Sequence, residues 1–321
     1  MRPRRLPALV VALTLVAGCG GDDGGGDRAG GDGDRGGGRA AAPAAPAVPA
    51  CTTGTVAGRG YELCTPGGQA VAEARGLVVA LHGRGASAAE MRAMTGLERP
   101  AADAGLAVVY PDGIDGGWGD DSFPTPARPR GDEDVAFLDA LVDELGTGGP
   151  VGLVGFSNGA SMALRYAAQR PDRVRAVVAV AGQLPRDPAV RPTGRVPLLA
   201  VYGSADPIRS YATGIAEPAS RAPGQPTPTL PTPDTVAAFA GAATHAGPDP
   251  SDPDASDGTT VLTERWRDGE GTVAVLLTVV GGGHTWPSSP EPPPPDFGAP
   301  SRDLDASAEA IRFVLDGDAG P

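Results

Sequence analysis

Five short runs of apolar, β-branched residues recur along the chain, each ending at Gly or a polar residue. They are GLVVALHG (76–83), LAVVYPDG (106–113), VGLVGFS (151–157), VRAVVAVAG (174–182) and VPLLAVYGS (196–204). Runs that are apolar on both faces suit a parallel sheet covered on each side. Between them lie segments with helical period. EDVAFLDALVDEL (133–145) puts Val135, Leu138, Leu141, Val142 and Leu145 on one face, with acids at its start to suit the helix dipole. NGASMALRYAAQRP (158–171) stops at Pro171, and DLDASAEAIRFVLDG (303–317) puts Leu304, Ala308, Ile311 and Leu315 on one side. Strands alternating with helices predict an α/β fold: a doubly wound, mostly parallel sheet with helices on both faces.

Two stretches break the alternation. Residues 212–258, rich in Pro, Asp and Ser, read as an insertion of surface loops around the short helical piece TVAAFAGAA. Residues 287–300, PSSPEPPPPDFGAP, read as another irregular connection.

The first 50 residues are of a different kind. Arg2, Arg4 and Arg5 precede an apolar run from Leu6 to Val16, then Val16-Ala17-Gly18-Cys19. A charged region, a short hydrophobic region and a small-residue cleavage site make an export signal, too short for a spanning helix. The Cys makes it resemble a bacterial lipoprotein signal, with residues 1–18 removed and Cys19 lipidated. Residues 19–50 are dominated by Gly, Asp, Arg, Ala and Pro without hydrophobic period. Such a segment cannot bury enough apolar surface to offset its ordering entropy, so a tether to the membrane is expected.

Residues 51–321 then form one catalytic domain. Of the three Cys, Cys51 and Cys64 remain for a disulfide in an oxidising compartment. The net charge of −13 becomes −16 once the three Arg of residues 1–18 are removed, which argues against nucleic acid as a partner. The expected form is a monomer, held outside the cell membrane by lipid or released.

Within VGLVGFSNGASMAL, Gly155-Phe156-Ser157-Asn158-Gly159 ends a strand and opens a helix. That is the context of a nucleophile elbow, in which glycines allow a sharp turn and the Ser stands at a helix N-terminus. The expected partners follow in the order acid, then His. His82 lies upstream and reads as a scaffold, and His245 as a solvated loop residue. His284 ends the run TVAVLLTVV in a Gly-rich turn and is the candidate base. Asp206, after LLAVYGSA, is the candidate acid, with Asp187 and Asp234 as rivals that follow no strand. An oxyanion hole needs two backbone N–H groups. Asn158 supplies one; Arg84 in LHGRGAS is the first choice for the other, Gly85 the second. No metal or cofactor is called for. Trp118 and Trp286 are candidates to flank the cleft and stack on a ring or sugar, packing being the other use of such a side chain.

LHGRGAS, YPDGIDGGW, DEDVAFLDALVDEL, GFSNGASMALRYA, YGSADP and GGGHTWP occur in this order. The chain thereby resembles the secreted polyhydroxybutyrate depolymerase and feruloyl esterase family over most of residues 51–316. The resemblance implies an α/β-hydrolase fold with Ser157, Asp206 and His284 as a triad, acting on an ester substrate. It departs at Arg84, where many polyester-degrading members have Cys, in lacking an appended polymer-binding domain, and in its Pro-rich insertion. Small aryl or acyl esters, of the feruloyl or carbohydrate-ester type, are therefore expected ahead of solid polyester. A depolymerase is the alternative, and a non-catalytic surface binding protein on the same fold is the reading from another class.

Overall fold

The computed structural model describes residues 48–120, 130–215 and 228–317. The signal, Cys19, almost all of the tether and residues 216–227 of the expected insertion lie outside the described residues.

Among the described residues, ten strands form one sheet. β1 (Pro49–Val56) and β2 (Arg59–Pro66) make an antiparallel hairpin at one edge. β2 pairs antiparallel with β4 (Ala107–Pro111). Then β4, β3 (Leu77–Leu81), β5 (Val151–Phe156), β6 (Val174–Val180), β7 (Leu198–Gly203) and β10 (Gly271–Val280) lie side by side, all parallel. β9 (Thr260–Asp268) and β8 (Thr244–Ser251) complete the other edge, antiparallel. The five apolar runs are β3 to β7, and they occupy the centre where both faces are covered.

Successive side chains of a strand face opposite sides, so each strand feeds two cores. Val79, Leu81 and Leu153 pack with α3 (Gly131–Leu145), α4 (Asn158–Gln169) and α5 (Thr232–Ala240). Val78, Ala80 and Val154 pack with α1 (Ala88–Thr95), α2 (Glu98–Asp103) and α6 (Ala306–Asp316). α3 buries all five residues of its predicted stripe. Of the stripe predicted for α6, Leu304 and Ile311 are buried and Leu315 packs against the core, together with Ala310, Phe313 and Val314, whereas Ala308 is exposed. The helix is capped by Asp305, whose carboxylate accepts the N–H groups of Ser307 (3.0 Å) and Ala308 (2.9 Å).

The predicted insertion is more ordered than expected where it is described. Thr244–Ser251 is the edge strand β8, and His245 lies on it rather than in a loop, stacked on Trp266 with 4.6 Å between ring centres. Thr229 is fully buried. The β1–β2 hairpin sets Cys51 opposite Cys64, and the two are joined as a disulfide.

Candidate active site

Because β5, β7 and β10 run parallel, their C-terminal ends open on one edge of the sheet, and three loops meet there. Ser157 follows β5, Asp206 follows β7, and His284 follows β10. The acid and base loops are tied backbone to backbone: Ala205 N–H donates to the Gly282 carbonyl at 3.0 Å. A Cβ on Gly203 would lie 2.2 Å from the Gly283 oxygen, so this crossing requires glycine.

Ser157 sits at φ 54, ψ −117, a conformation that costs a non-glycine residue energy and persists only when its surroundings fix it. Two contacts do so. Its N–H donates to the Val180 carbonyl (2.9 Å) and its carbonyl accepts from Ser161 N–H (3.0 Å). The glycines around it are obligatory by contact. A Cβ on Gly159 would stand 2.2 Å from the Leu81 oxygen, and one on Gly155 2.5 Å from the Gly159 oxygen.

Ser157 Oγ lies 2.8 Å from His284 Nε2, and His284 Nδ1 lies 2.7 Å from Asp206 Oδ2. A carboxylate only accepts, so Nδ1 carries the proton and Nε2 is left to accept from the hydroxyl. Asp206 Oδ1 accepts the N–H groups of Ile208 (2.7 Å) and Arg209 (2.9 Å), which holds the carboxylate in the orientation that meets His284. The imidazole itself lies between the rings of Phe156 (5.2 Å) and Phe297 (5.4 Å). Asp187 instead caps Ala189 N–H, and Asp234 lies in the first turn of α5.

A chamber of about 20 Å³ adjoins Ser157 and is bounded by Arg84, Asn158 and Arg209 among others. Asn158 opens α4, where backbone N–H groups have no intrahelical acceptor. Gly85 does not serve as the second oxyanion donor, because its N–H is engaged with the Gly116 carbonyl at 2.6 Å. Gly83, next to Arg84, lies close to the nucleophile: a Cβ there would meet Ser157 Cβ at 3.5 Å and Phe156 Cδ1 at 3.1 Å.

His82 is fully buried, and its Nε2 accepts Gly113 N–H at 2.9 Å. Its Nδ1 donates to the Gly83 carbonyl at 2.8 Å. Nε2 can accept only on the neutral ring, and burial pushes the His82 pKa down. It braces the loop that carries Arg84.

Trp118 does not flank the cleft. It has no exposed surface, and its indole N–H donates to the His82 carbonyl at 3.0 Å. Trp286 does reach the cleft wall, although its indole N–H is held by Ser307 Oγ at 3.0 Å. That cleft, about 730 Å³, opens over Ser157 and His284. Its apolar lining includes Met91, Met94 and the prolines 292–294, none of which carries a motif that marks it in the sequence.

A family profile described as the alpha/beta hydrolase fold matches residues 76–220. A protein of Nocardia uniformis subsp. tsuyamanensis named "Putative esterase NocK" is 41% identical over 293 residues, 86% of this chain and 85% of that one. Among solved structures, an acetyl xylan esterase from Aspergillus awamori is similar with a TM-score of 0.48 and 15% identity, over 74% of this chain and 94% of its own. Esterase PE8 is similar with a TM-score of 0.46 and 20% identity, over 77% of this chain and 94% of its own. The chain belongs to the α/β-hydrolase family.

Proposed function

We propose that the protein is a carboxylic ester hydrolase in which Ser157 is the nucleophile, His284 the base and Asp206 the orienting acid. The observation that carries this reading is the pair of hydrogen bonds through His284, 2.8 Å to Ser157 Oγ and 2.7 Å to Asp206 Oδ2. The relative of 41% identity, named as an esterase, supports the same class of reaction.

His284 Nε2 takes the hydroxyl proton as Ser157 Oγ attacks the ester carbonyl. The developing oxyanion is met by the N–H of Asn158 and by that of Arg84, at the positive end of α4. Collapse of the tetrahedral intermediate expels the alcohol, which receives the proton from His284. Water, activated by the same imidazole, then releases the acid and restores Ser157.

The substrates in this reading are small aryl or acyl esters, of the type carried by plant polysaccharides, ahead of polyhydroxybutyrate. A cleft whose walls are mainly apolar, with Arg84, Glu90, Glu291 and Asp296 also on its lining, supports it. The enzyme acts outside the cytoplasm, attached through lipid on Cys19; the Cys51–Cys64 disulfide supports an oxidising compartment.

The test compares initial rates on p-nitrophenyl acetate, methyl ferulate and a hydroxybutyrate oligomer, for wild type and Ser157→Ala. The variant should lose on the order of 10⁴- to 10⁶-fold in rate on every substrate that wild type cleaves. A variant within tenfold of wild type removes Ser157 as nucleophile. Fastest turnover of the oligomer by wild type makes the enzyme a depolymerase.

A further inference from the structure

Immediately after His284 the chain leaves the sheet as a strap, residues 287–300, and returns to the same place. Both ends are fastened. His284 N–H donates to the Phe297 carbonyl (2.6 Å), Gly283 N–H to that of Ala299 (2.8 Å), and Ser288 N–H to that of Ser301 (2.8 Å). Near its start, Ser289 Oγ donates to the Met94 carbonyl of α1 at 2.8 Å. The centre of the strap is Pro292, Pro293, Pro294 and Pro295, with Pro294 at φ −54, ψ 142, close to polyproline II values. Proline has a locked φ and no N–H, so Pro292, Pro293 and Pro294 cannot hydrogen-bond to one another through the backbone. The strap then turns at Pro295–Phe297, where Phe297 N–H donates to the Pro294 carbonyl at 3.0 Å. Pro292, Pro293 and Pro294 line the cleft over Ser157, together with Met91, Met94 and Trp286.

We propose that this strap is the specificity-determining wall of the cleft, taking an apolar, ring-bearing group of the ester against its proline rings. The proposal rests on the reading of Ser157 as nucleophile and adds to it the element that selects the substrate. A cleft of about 730 Å³ is far larger than an acetyl group needs and has the size of a site for a drug-sized ligand. The wall is pre-ordered, so little rotamer freedom is lost when a ligand settles on it. Met94, only partly buried, offers a sulfur contact that favours an aromatic ring, and its flexible side chain adapts to the ring's outline. The strap also returns through Phe297, whose ring stands 5.4 Å from that of His284, so the wall and the base are parts of one loop.

The experiment separates binding from chemistry. Ser157→Ala protein is titrated with methyl ferulate by calorimetry, with the strap intact and with Pro292→Gly/Pro293→Gly added. The glycines should weaken binding about tenfold, the scale on which a hydrophobic pocket discriminates. In the active enzyme the same pair should lower the ratio of kcat/KM on methyl ferulate to that on ethyl acetate, again by about tenfold. Pro292→Ala/Pro293→Ala, which restricts the backbone more than glycine, should fall between wild type and the glycine pair, and decides the matter if the glycine protein does not fold. Binding and ratio both within twofold of wild type in the folded variants overturn the proposal. Hydrolysis of methyl ferulate by Ser157→Ala at the wild-type rate would instead overturn the nucleophile, leaving the binding comparison to decide the strap.

Discussion

Asn158 and Trp118, 40 residues apart, hold each other by two hydrogen bonds: Trp118 N–H donates to Asn158 Oδ1 at 2.7 Å, and Asn158 Nδ2 donates to the Trp118 carbonyl at 3.0 Å. The indole of the same Trp118 donates to the His82 carbonyl at 3.0 Å. The residue beside the proposed nucleophile is thus linked through one tryptophan to the loop proposed to complete the oxyanion hole. Asn158 therefore has two jobs, its backbone at the head of α4 and its side chain as a brace.

Asn158→Ala removes the brace and leaves the buried Trp118 N–H without that partner, whereas the Trp118 carbonyl keeps Asp120 N–H at 2.9 Å. One unsatisfied buried group costs about 1–3 kcal/mol, so a loss in that range is expected in chemical denaturation. The backbone N–H of residue 158 remains, yet the His82–Arg84 loop loses its fixed distance from Ser157. Misplacement of that order lowers kcat about 100-fold. A folded variant with wild-type kcat would show that the brace serves stability alone.

Asp206→Asn tests the acid through its geometry. If the asparagine oxygen keeps the N–H groups of Ile208 and Arg209, its amide faces His284 Nδ1 as a donor. Nδ1 must then accept, the proton moves to Nε2, and the ring can no longer take one from Ser157. A fall in kcat of about 10⁴-fold is expected, with KM little changed. A fall of less than tenfold would pass the role to another carboxylate.

The centre of the sheet was legible because β3 to β7 are buried on both faces and must be apolar throughout. The elbow was legible because its glycines are forced by contacts of a few ångströms, a constraint that leaves its mark on residue type. The edge strands were not. β8, THAGPDPS, is almost wholly exposed and contains two prolines; only its pairing with β9 makes it a strand. Trp118 was open between cleft and core because an indole suits either, and its surroundings come from residues far along the chain. The strap was legible as irregular, but its place in the cleft depends on where both of its ends are tied.

The disulfide can be tested on protein made in an oxidising compartment. Cys51 and Cys64 are 13 residues apart in sequence, and closing so short a loop stabilises by roughly 3 kcal/mol in the loop-entropy model. β1 and β2 are also held by their antiparallel pairing with each other and of β2 with β4, so the loss should appear as a lower unfolding midpoint rather than a lost sheet. Non-reduced peptide mapping should yield the linked pair, and Cys51→Ser/Cys64→Ser should melt earlier than wild type. Free thiols in protein made under oxidising conditions would exclude the bond.

His82 gives the fold a pH dependence whose sign follows from its two hydrogen bonds. Nε2 accepts from Gly113 and Nδ1 donates to Gly83, so the folded protein requires the neutral ring. Burial lowers its pKa more than the hydrogen bond to Gly83 and the charges of Asp112 and Glu90 raise it. In the unfolded chain the imidazole titrates near its ordinary value of about 6.5. Below that pH the unfolded state binds a proton that the folded state refuses, and stability falls as pH falls from about 6.5 toward the lowered folded value. Above 6.5 both states are neutral and the contribution is complete. His82→Gln retains an acceptor for Gly113 but does not titrate. It should be less stable than wild type at pH 7.5, through lost packing on Trp118, and the gap should narrow steadily toward pH 5. Urea unfolding of both proteins at half-unit steps of pH measures this difference directly, with the other titrating groups common to the two. A gap that stays constant from pH 8 to pH 5 would mean that His82 is not held neutral by the fold.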